Sequence, residues 1–437
     1  MFESFLRFLR NLDSRFKVML GAIGLHNWSR SLPAQYDQLY ITALGANPIE
    51  LGSLTTVGTA VNSIVSSPMG WAADKYGVKK VMTFGLALTM IAAGIYGLAV
   101  HWWMVIPAII ITQIGMMLIM PLTDTIFIGT TSSKQRATAI GFSRALWAIP
   151  CSFVPMVAAL IVVAFGGINA QGIRPLYFIE LILELLVLLL LVVMLKPLLP
   201  SEQRKADAPA KNASGSGWED AGFIGDLRKL FEGETKLKRW LLIYSLRNVS
   251  TRMAMPFVPL WIVTVKGADP YILGVMGTIG VLTSMFLQIP VGSLADKIGR
   301  KKAFLLLHPM LHLGTLLLIL APSPEYLTIV GLLGAFGLRV GLVGAGGIGS
   351  LGQTPYITMF WEMVPAEKRG RWIGTANMFN ILSLPASILA GFLWQQGFMV
   401  WVLLFPLIVD VLFVLPLFFT VPETLEQSTE GRPSARY

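Results

Sequence analysis

Arginines deep within apolar segments are the residues of this sequence best suited to bind a ligand. Arg30 ends the segment Leu-His-Asn-Trp-Ser-Arg, and Arg252 ends the related segment Leu-Arg-Asn-Val-Ser-Thr-Arg 222 positions later. Arg30 follows Lys17 by 13 residues, a helical rise of about 20 Å into an apolar layer about 30 Å thick. A cation at that depth costs on the order of 3 kcal/mol. Two guanidiniums, one from each of these segments, would offer paired hydrogen-bond donors to carboxylate or phosphate oxygens. Alternatively, each pairs with a structural carboxylate or with helix carbonyls.

Three polar residues accompany these arginines. Asn27 and Asn248 are candidates to donate hydrogen bonds to the same ligand, or to bond to neighbouring helices. Asp37 lies seven residues after Arg30 on the same helical face, but a rise of about 10.5 Å separates the two residues. Because burial favours the neutral form of a carboxyl group, Asp37 is a candidate for substrate binding and for proton coupling. The alternative is a helix-interface residue near the outer rim.

Glu180 and Glu184 lie one helical turn apart in another apolar segment. If both are buried, their mutual repulsion would keep one of them protonated at neutral pH, which makes them candidates for proton coupling. The alternative is that they are helix-packing partners of Arg144 or Arg174.

Other ligand types are scarce. His308 and His312 share a helical face, but two ligands do not make a metal site and the sequence places no acid or cysteine beside them. We therefore expect no metal there, and packing or hydrogen bonding between helices instead. Cys151 is the only cysteine, which excludes a disulfide framework or a thiolate metal site.

A short charged turn between two apolar segments occurs twice, again 222 positions apart. Its glycine, aspartate and glycine are Gly70, Asp74 and Gly77 in the first copy and Gly292, Asp296 and Gly299 in the second. The aspartate of such a turn can accept hydrogen bonds from a helix N-terminus of the opposite half and stabilise one conformation, or it can simply cap the turn. Arg136, Glu362 and Arg369 are expected to complete this gate.

Composition indicates whether the surface of the protein faces water or lipid. Of its 437 residues, 54% are hydrophobic and 13% are charged, whereas a soluble protein carries about 25% charged residues. The chain is therefore predicted to lie in a lipid bilayer. The net charge of +10 resides in short segments beside the apolar runs, a pattern that sets membrane topology rather than one that binds nucleic acid.

The apolar runs predict an all-α membrane protein with about twelve spans. They lie near 17–44, 50–70, 80–100, 103–128, 138–166, 174–196, 239–265, 271–292, 302–322, 326–362, 372–395 and 398–420. The cationic loops share one side, which places both termini in the cytoplasm. The predicted domains are a six-helix bundle (1–199), a cytoplasmic linker with a short amphipathic helix (200–237) and a second six-helix bundle (238–437). The glycine-rich, over-long segment 326–362 predicts a break.

Two six-span halves, a central cytoplasmic loop and the repeated turn resemble the major facilitator superfamily. The resemblance implies two bundles around a central cavity, which rock to open it to each side in turn. Glu362 followed by Arg369, and Pro422-Glu423-Thr424, resemble fragments of sugar-porter signatures. The paired arginines are similar to those of the organophosphate/phosphate antiporters. The subfamily stays open.

These features predict a secondary transporter of a small solute. Arg30 and Arg252 would bind an anionic group of the solute, and a proton would be the coupling ion. One alternative is a carrier of neutral or lipophilic compounds or sugars, in which the arginines are structural. Another is a non-transporting receptor or scaffold. No enzyme activity, cofactor or nucleic-acid partner is expected, and the chain is expected to be a monomer in the cytoplasmic membrane.

Overall fold

The computed structural model describes residues 14–76, 78–130, 150–194, 235–339, 346–364, 376 and 379–425. Within these residues the regular secondary structure is helical and contains no strand. This is the expected result for an apolar chain, because a helix satisfies all its backbone hydrogen bonds internally.

The first half of the chain contains seven described helices. They are α1 (Ser14–Ser31), α2 (Asp37–Ala43), α3 (Pro48–Tyr76), α4 (Val78–Leu98), α5 (Val105–Thr130), α6 (Val154–Ala164) and α7 (Ala170–Met194). The start of α3 is a reciprocal cap. The backbone amide of Asn47 donates to the Glu50 carboxylate at 2.7 Å, and the amide of Glu50 donates to the Asn47 side chain at 2.9 Å. These bonds satisfy two amides that the helix itself leaves free.

The second half is more interrupted. Its described helices are α8 (Thr235–Ala254), α9 (Val258–Leu260), α10 (Pro270–Ile298), α11 (Arg300–Leu307), α12 (Pro309–Leu320), α13 (Leu327–Leu333), α14 (Gly347–Ser350), α15 (Gln353–Met363), α16 (Leu384–Gln395), α17 (Met399–Val409) and α18 (Leu415–Phe419). Single π-helical segments, Trp261–Val265 and Asp410–Val414, follow α9 and α17. The repeat is visible here too: α10, like α3, has 29 residues and starts with a proline, after an Asp269 cap.

Six helical stretches of the described chain are long and apolar enough to cross a membrane. They are Lys80–Leu98, Trp102–Ile119, Ala170–Val193, Pro270–Ile298, Arg300–Leu320 and Met399–Phe419. Two shorter apolar helical stretches, Val154–Ala164 and Pro324–Leu333, accompany them. Large apolar side chains such as Ile182 (64% exposed) and Leu320 (72% exposed) face outward, as lipid-facing residues do. The total of twelve spans and the location of the termini stay predictions.

The break predicted within 326–362 is confirmed. Helix α13 ends at Leu333, and Gly334 adopts φ +82°, a left-handed conformation that favours glycine. Residues 335–339 are not helical, and the next described helix begins at Gly347. The backbone of this interrupted segment places Phe336 in the buried interior.

Close contacts join the two halves at the end of the bundle that is remote from the repeated turns. A Cβ atom added at Gly52 of α3 would lie 2.1 Å from the carbonyl oxygen of Ser387 in α16, and one at Gly391 of α16 would lie 2.3 Å from that of Pro48. Helices α6 and α10 meet in the same way, since a Cβ atom at Gly274 would lie 2.6 Å from the Cβ atom of Ala159. The halves are therefore closed together at this end.

Hydrogen bonds reinforce the closed end. Gln35 donates through Nε2 to the Leu273 carbonyl at 2.8 Å, and Thr56 donates to the Leu384 carbonyl at 2.8 Å. Each bond connects the first half with the second. Both can form only while the glycine contacts hold the helices at this short separation.

Adding a methyl group at Gly52 or Gly391 should open this end. Overpacking a tight contact costs about 1–3 kcal/mol, which shifts a two-state equilibrium by about tenfold or more. In a Cys151→Ser background, a Gln35→Cys thiol should therefore react about tenfold faster with a membrane-impermeant maleimide after Gly52→Ala. Gly292→Ala is the matched control, because nothing lies within 4 Å of a Cβ atom there. Equal labelling rates in the two variants would contradict closure by the glycine contacts.

Candidate functional site

A buried ion pair connects α1 with α7. The Nη1 atom of Arg30 donates to Oε1 of Glu180 at 2.6 Å, with the Glu180 side chain inaccessible to solvent and that of Arg30 only 11% accessible. Among the residues that the structure describes, the Nε atom of Arg30 and the Oε2 atom of Glu180 have no hydrogen-bond partner. The predicted anion-binding arginine of the first half thus already has a carboxylate partner, while part of its donor capacity is unused.

Glu184, one turn further along α7, is held by three donors. His26 contacts its carboxylate through Nδ1 at 2.8 Å, Ser29 donates at 2.6 Å and Thr89 at 3.4 Å. Glu184, His26, Ser29 and Thr89 are all buried. Among the described residues, the partners of the two glutamates therefore lie on α1 and α4, whereas Arg174 donates to the Ala99 carbonyl at 2.8 Å. Arg144 lies outside the described residues.

Asp37 lies near the same pair. Tyr177 of α7 donates to Oδ1 of Asp37 at 2.9 Å, and the Tyr177 ring stacks on that of Tyr96 at 4.8 Å. The charge of Asp37 attracts both Arg30 and Arg339, the latter from the break after α13. Residues of both halves therefore contribute to one charged centre.

Arg252 reaches across to the first half. Its Nη1 atom donates to the hydroxyl of Thr59 in α3 at 2.5 Å, and its carbonyl accepts from Ser387 at 3.0 Å. Its Nε atom finds no hydrogen-bond partner in the described segments. Within the described part of the chain, no carboxylate lies within ion-pair distance of Arg252. Its charge is therefore not neutralised by direct contact there.

A cavity of about 310 Å³ lies beside α8. It is lined by Tyr244, Arg247, Asn248, Thr251, Leu311, Ala335, Phe336, Gly337, Gly349, Ser350, Gln353 and Tyr356. The four residues from α8 recur at helical spacing and so share one face of that helix. The predicted ligand-binding residue Asn248 is among them, and its Nδ2 atom has no hydrogen-bond partner among the described residues. The walls combine aromatic rings with amide and hydroxyl groups.

Arg247 supplies the cation of this cavity. Its Cζ atom lies 4.5 Å from the ring centroid of Tyr356 and 5.3 Å from that of Phe304. Its Nη2 atom donates a hydrogen bond to the Gln353 side chain at 3.3 Å. Its Nη1 atom has no hydrogen-bond partner among the described residues. Sequence reasoning did not single out Arg247, although it lies five residues before Arg252 in the same segment. The available signal was a second arginine in the same predicted span as Arg252.

Asn27 is the remaining predicted ligand-binding residue. It lies on α1, one turn before Ser31, whose hydroxyl donates to the Asn27 carbonyl at 2.8 Å. The structure thus assigns a role to its backbone. A role of its side chain in ligand binding stays a prediction.

The histidine pair has a carboxylate partner that sequence reasoning missed. Asp410 accepts at Oδ2 from Nε2 of His308 at 2.7 Å and from Nε2 of His312 at 2.8 Å. We expected no acid beside these histidines, and that expectation is wrong. Asp410 begins the π-helical segment after α17, about a hundred residues from both histidines, so sequence proximity carries no signal for it.

Part of the predicted gate forms a network within the second half. Arg300 bonds to Asp296 and, at 3.4 Å, to Glu362. Glu423 accepts from the backbone amides of Arg300 and Lys301 at 2.9 and 3.1 Å, which caps the start of α11. Thr424 completes the network by donating to Glu362 at 2.5 Å. The acids of the two signature fragments thus converge on the charged turn.

The structure describes only some of the other predicted gate residues. Gly292 lies within α10, and Gly299 separates α10 from α11 with φ +102°. Gly70 and Asp74 lie within α3. Gly77, Arg136, Arg369 and the linker helix predicted within 200–237 lie outside the described residues. A latch between the halves therefore stays a prediction.

Comparison with known proteins identifies the family. The model of the Major Facilitator Superfamily matches residues 22–354 and 240–436. The chain therefore belongs to the Major Facilitator Superfamily. Its members are transporters embedded in membranes by several helices, and the apolar helices described above fit that class.

Solved structures share the fold over nearly the whole chain. The xylose transporter XylE from E. coli is 14% identical with a TM-score of 0.63, over 95% of this chain and 99% of the transporter. The nucleoside transporter NupG is 12% identical with a TM-score of 0.69, over 96% and 100%. A peptide transporter POT in complex with sulfate is 14% identical with a TM-score of 0.63, over 93% and 94%. No protein of curated function matches the sequence.

Separating the Arg30–Glu180 pair should destabilise the protein more than removing both charges. A buried charge without its partner costs about 3–5 kcal/mol, whereas an apolar replacement of the whole pair is often near neutral. Arg30→Gln and Glu180→Leu should each lower the free energy of unfolding by about that amount, and Arg30→Met/Glu180→Leu by clearly less than the sum. Chemical unfolding in detergent measures the three values. Arg174→Gln, which loses one bond to a carbonyl, is the control. Strict additivity would contradict the coupling.

Proposed function

We propose that this chain is a secondary active transporter that carries a small organic or phosphate-bearing anion by alternating access between its two halves. The single observation that carries the proposal is the pair of arginines on α8, Arg252 and Arg247. Both have unused donor capacity, and neither has a carboxylate partner within the described residues. An anion would supply the missing charge.

The position of these arginines supports binding during transport. Arg252 bonds to Thr59 of the opposite half, so a ligand that contacts Arg252 also affects the contact between halves. Arg247 lines the cavity between aromatic rings and Gln353. A planar guanidinium offers paired donors that match carboxylate or phosphate oxygens. Arg30 and Asp37 would complete the binding site from the first half, with Asn27 and Asn248 as hydrogen-bond partners.

Proton coupling would involve the buried acids of α7 and Asp37. Glu180 can be neutralised by Arg30 or by a proton, so an anionic ligand that competes for Arg30 would favour protonation of Glu180. Glu184, which His26 and Ser29 hold, would tune this exchange. One ligand and one proton would then move together.

A carrier of neutral solutes is the second candidate. Two observations favour it: Arg30 is paired with Glu180, and the cavity offers hydroxyl and amide groups from Tyr244, Asn248 and Gln353. Such groups suit sugars or nucleosides. In this case the arginines would be structural and their removal would leave ligand recognition intact.

We further infer the membrane location, the oligomeric state and the domain boundaries of the protein. The cationic loops favour the cytoplasmic membrane with both termini inside, and the presence of both halves in one chain favours a monomeric carrier. The division into domains at 1–199, 200–237 and 238–437 follows from the repeat. Neither a cofactor nor nucleic acid is required by the proposed cycle.

Thermal stability of the purified protein tests the ligand class. Inorganic phosphate, glycerol 3-phosphate and succinate are the anionic probes, and D-xylose and uridine are the neutral ones. At least one anion should raise the melting temperature, whereas the neutral probes should not. Arg252→Gln and Arg247→Gln should each weaken the apparent affinity by about tenfold to a hundredfold, because a hydrogen bond to a charged group contributes about 1.5–3 kcal/mol. Arg174→Gln, which bonds outside the cavity, should retain the response.

Flux then tests transport itself. Proteoliposomes loaded with the stabilising anion should take up the labelled anion by exchange, and Arg252→Gln should abolish this uptake. Stabilisation by a neutral probe that survives both arginine substitutions would overturn anion binding in favour of the second candidate. Binding without any flux would indicate a receptor instead of a carrier.

A further inference from the structure

A second polar cluster, remote from the Arg30 network, lies in the second half. His308 joins α11 to α12, His312 lies one turn later in α12, and Asp410 follows α17. One ligand atom of each residue lies within 4.8 Å of the others. The side chains of His308 and Asp410 are 1% and 2% accessible, and that of His312 is 14% accessible. Three potential metal ligands therefore converge inside the protein.

The ligand types and their spacing suit a zinc-type ion. Histidines four residues apart on a helix present two imidazoles on one face, which is a known arrangement for Zn²⁺. A carboxylate from another helix completes the two-histidine, one-carboxylate set, which leaves a fourth position open. Imidazole nitrogen and carboxylate oxygen favour Zn²⁺, Co²⁺ or Ni²⁺ over Mg²⁺ or Ca²⁺.

The atoms needed for coordination are available. In the structure both Nε2 atoms point to a single oxygen of Asp410, at 2.7 and 2.8 Å. The other oxygen of Asp410, Oδ1, and the Nδ1 atom of His308 are buried and have no hydrogen-bond partner within the described part of the chain. Oδ1 can therefore serve as an additional ligand. Nδ1 of His308 can carry the proton that Nε2 must give up when it binds a metal.

Aromatic side chains hold the histidines in place. Phe304 stacks on His308 at 4.5 Å, and Phe336 contacts the rings of His308 and His312 at 5.8 and 5.6 Å. Phe336 also lines the cavity beside α8. His312 is the most accessible of the three side chains, so an ion and a water ligand would enter beside it.

One positive charge opposes cation binding. The guanidinium of Arg247 acts electrostatically on both His308 and Asp410. Its contact with the Phe304 and Tyr356 rings positions it beside the cluster without any direct bond to it. Removal of this charge should therefore strengthen a metal site and would have no such effect on a purely structural hydrogen-bond cluster.

We propose that His308, His312 and Asp410 form a binding site for one divalent transition-metal ion of the Zn²⁺ type, which connects α12 to the last helices of the chain. The inference is independent of the transported solute. Its ligands all come from the second half, so the site can stay intact while the halves move relative to each other.

Metal titration of the purified full-length protein in detergent tests the proposal. After treatment with a chelator, Zn²⁺ binding is measured by calorimetry and by metal analysis after gel filtration, and Co²⁺ binding by visible absorption, which reports tetrahedral nitrogen and oxygen ligation. We expect one ion per chain. His308→Gln, His312→Gln and Asp410→Asn should each weaken binding by more than about tenfold, since even outer-shell changes commonly cost that much.

Two further variants distinguish a metal site from a purely structural hydrogen-bond cluster and from Zn²⁺ binding elsewhere on the chain. His26→Gln is the matched control, because it removes the other buried histidine that contacts a carboxylate, and it should leave Zn²⁺ binding unchanged. Arg247→Gln should increase the affinity several-fold. All variants are compared by gel filtration and circular dichroism, and Co²⁺ absorption of Arg247→Gln provides a readout that does not depend on removing a ligand.

Three results would overturn the proposal. One is the absence of stoichiometric Zn²⁺ binding in both the unmodified protein and Arg247→Gln. Another is binding that Asp410→Asn retains in full. The third is Zn²⁺ binding that is lost in His26→Gln but retained in His308→Gln and His312→Gln.

Discussion

Charged groups inside a lipid-embedded bundle must find their partners within the protein, and this constraint organises the molecule. A central charge without compensation costs several kcal/mol, so Arg30 bonds to Glu180 and Glu184 gathers His26, Ser29 and Thr89. These contacts attach α7 to both α1 and α4. The same polar groups that are expensive to bury thus determine which helices pack together in the first half.

The two halves apply this chemistry in related but unequal ways. In the first half, Glu184 of α7 contacts His26. In the second half, Asp410, which follows α17, contacts His308 and His312. The arginines differ more. Arg30 has a carboxylate partner, whereas its counterpart Arg252 bonds to Thr59 of the opposite half. Arg247 and Arg252, both on α8, thus lack a carboxylate contact among the described residues.

Backbone contact at glycine complements these side-chain interactions. Gly52 and Gly391 bring α3 and α16 together, and Gly274 brings α10 against α6. Contacts of this kind depend on shape alone, so they can separate without leaving an unpaired charge in the bilayer. That property suits the movement of one half relative to the other. The network of Asp296, Glu362 and Glu423, in contrast, lies within the second half and stabilises that half as a unit.

The sequence by itself determined the class of protein, the repeat and the interruption near Gly334. Composition and apolar length depend only on residue types, and a glycine-rich run weakens a helix wherever it occurs. The membrane depth of Arg30 and Arg252, which rests on helical rise, stays a prediction. The tertiary structure decided the partners. Periodicity shows which face of a helix is polar, but packing selects the neighbouring helix that covers this face. Arg30 therefore pairs with Glu180, which lies 150 residues further along the chain. For the same reason Asp410 joined the histidines, and Arg247 supplied the cation of the cavity.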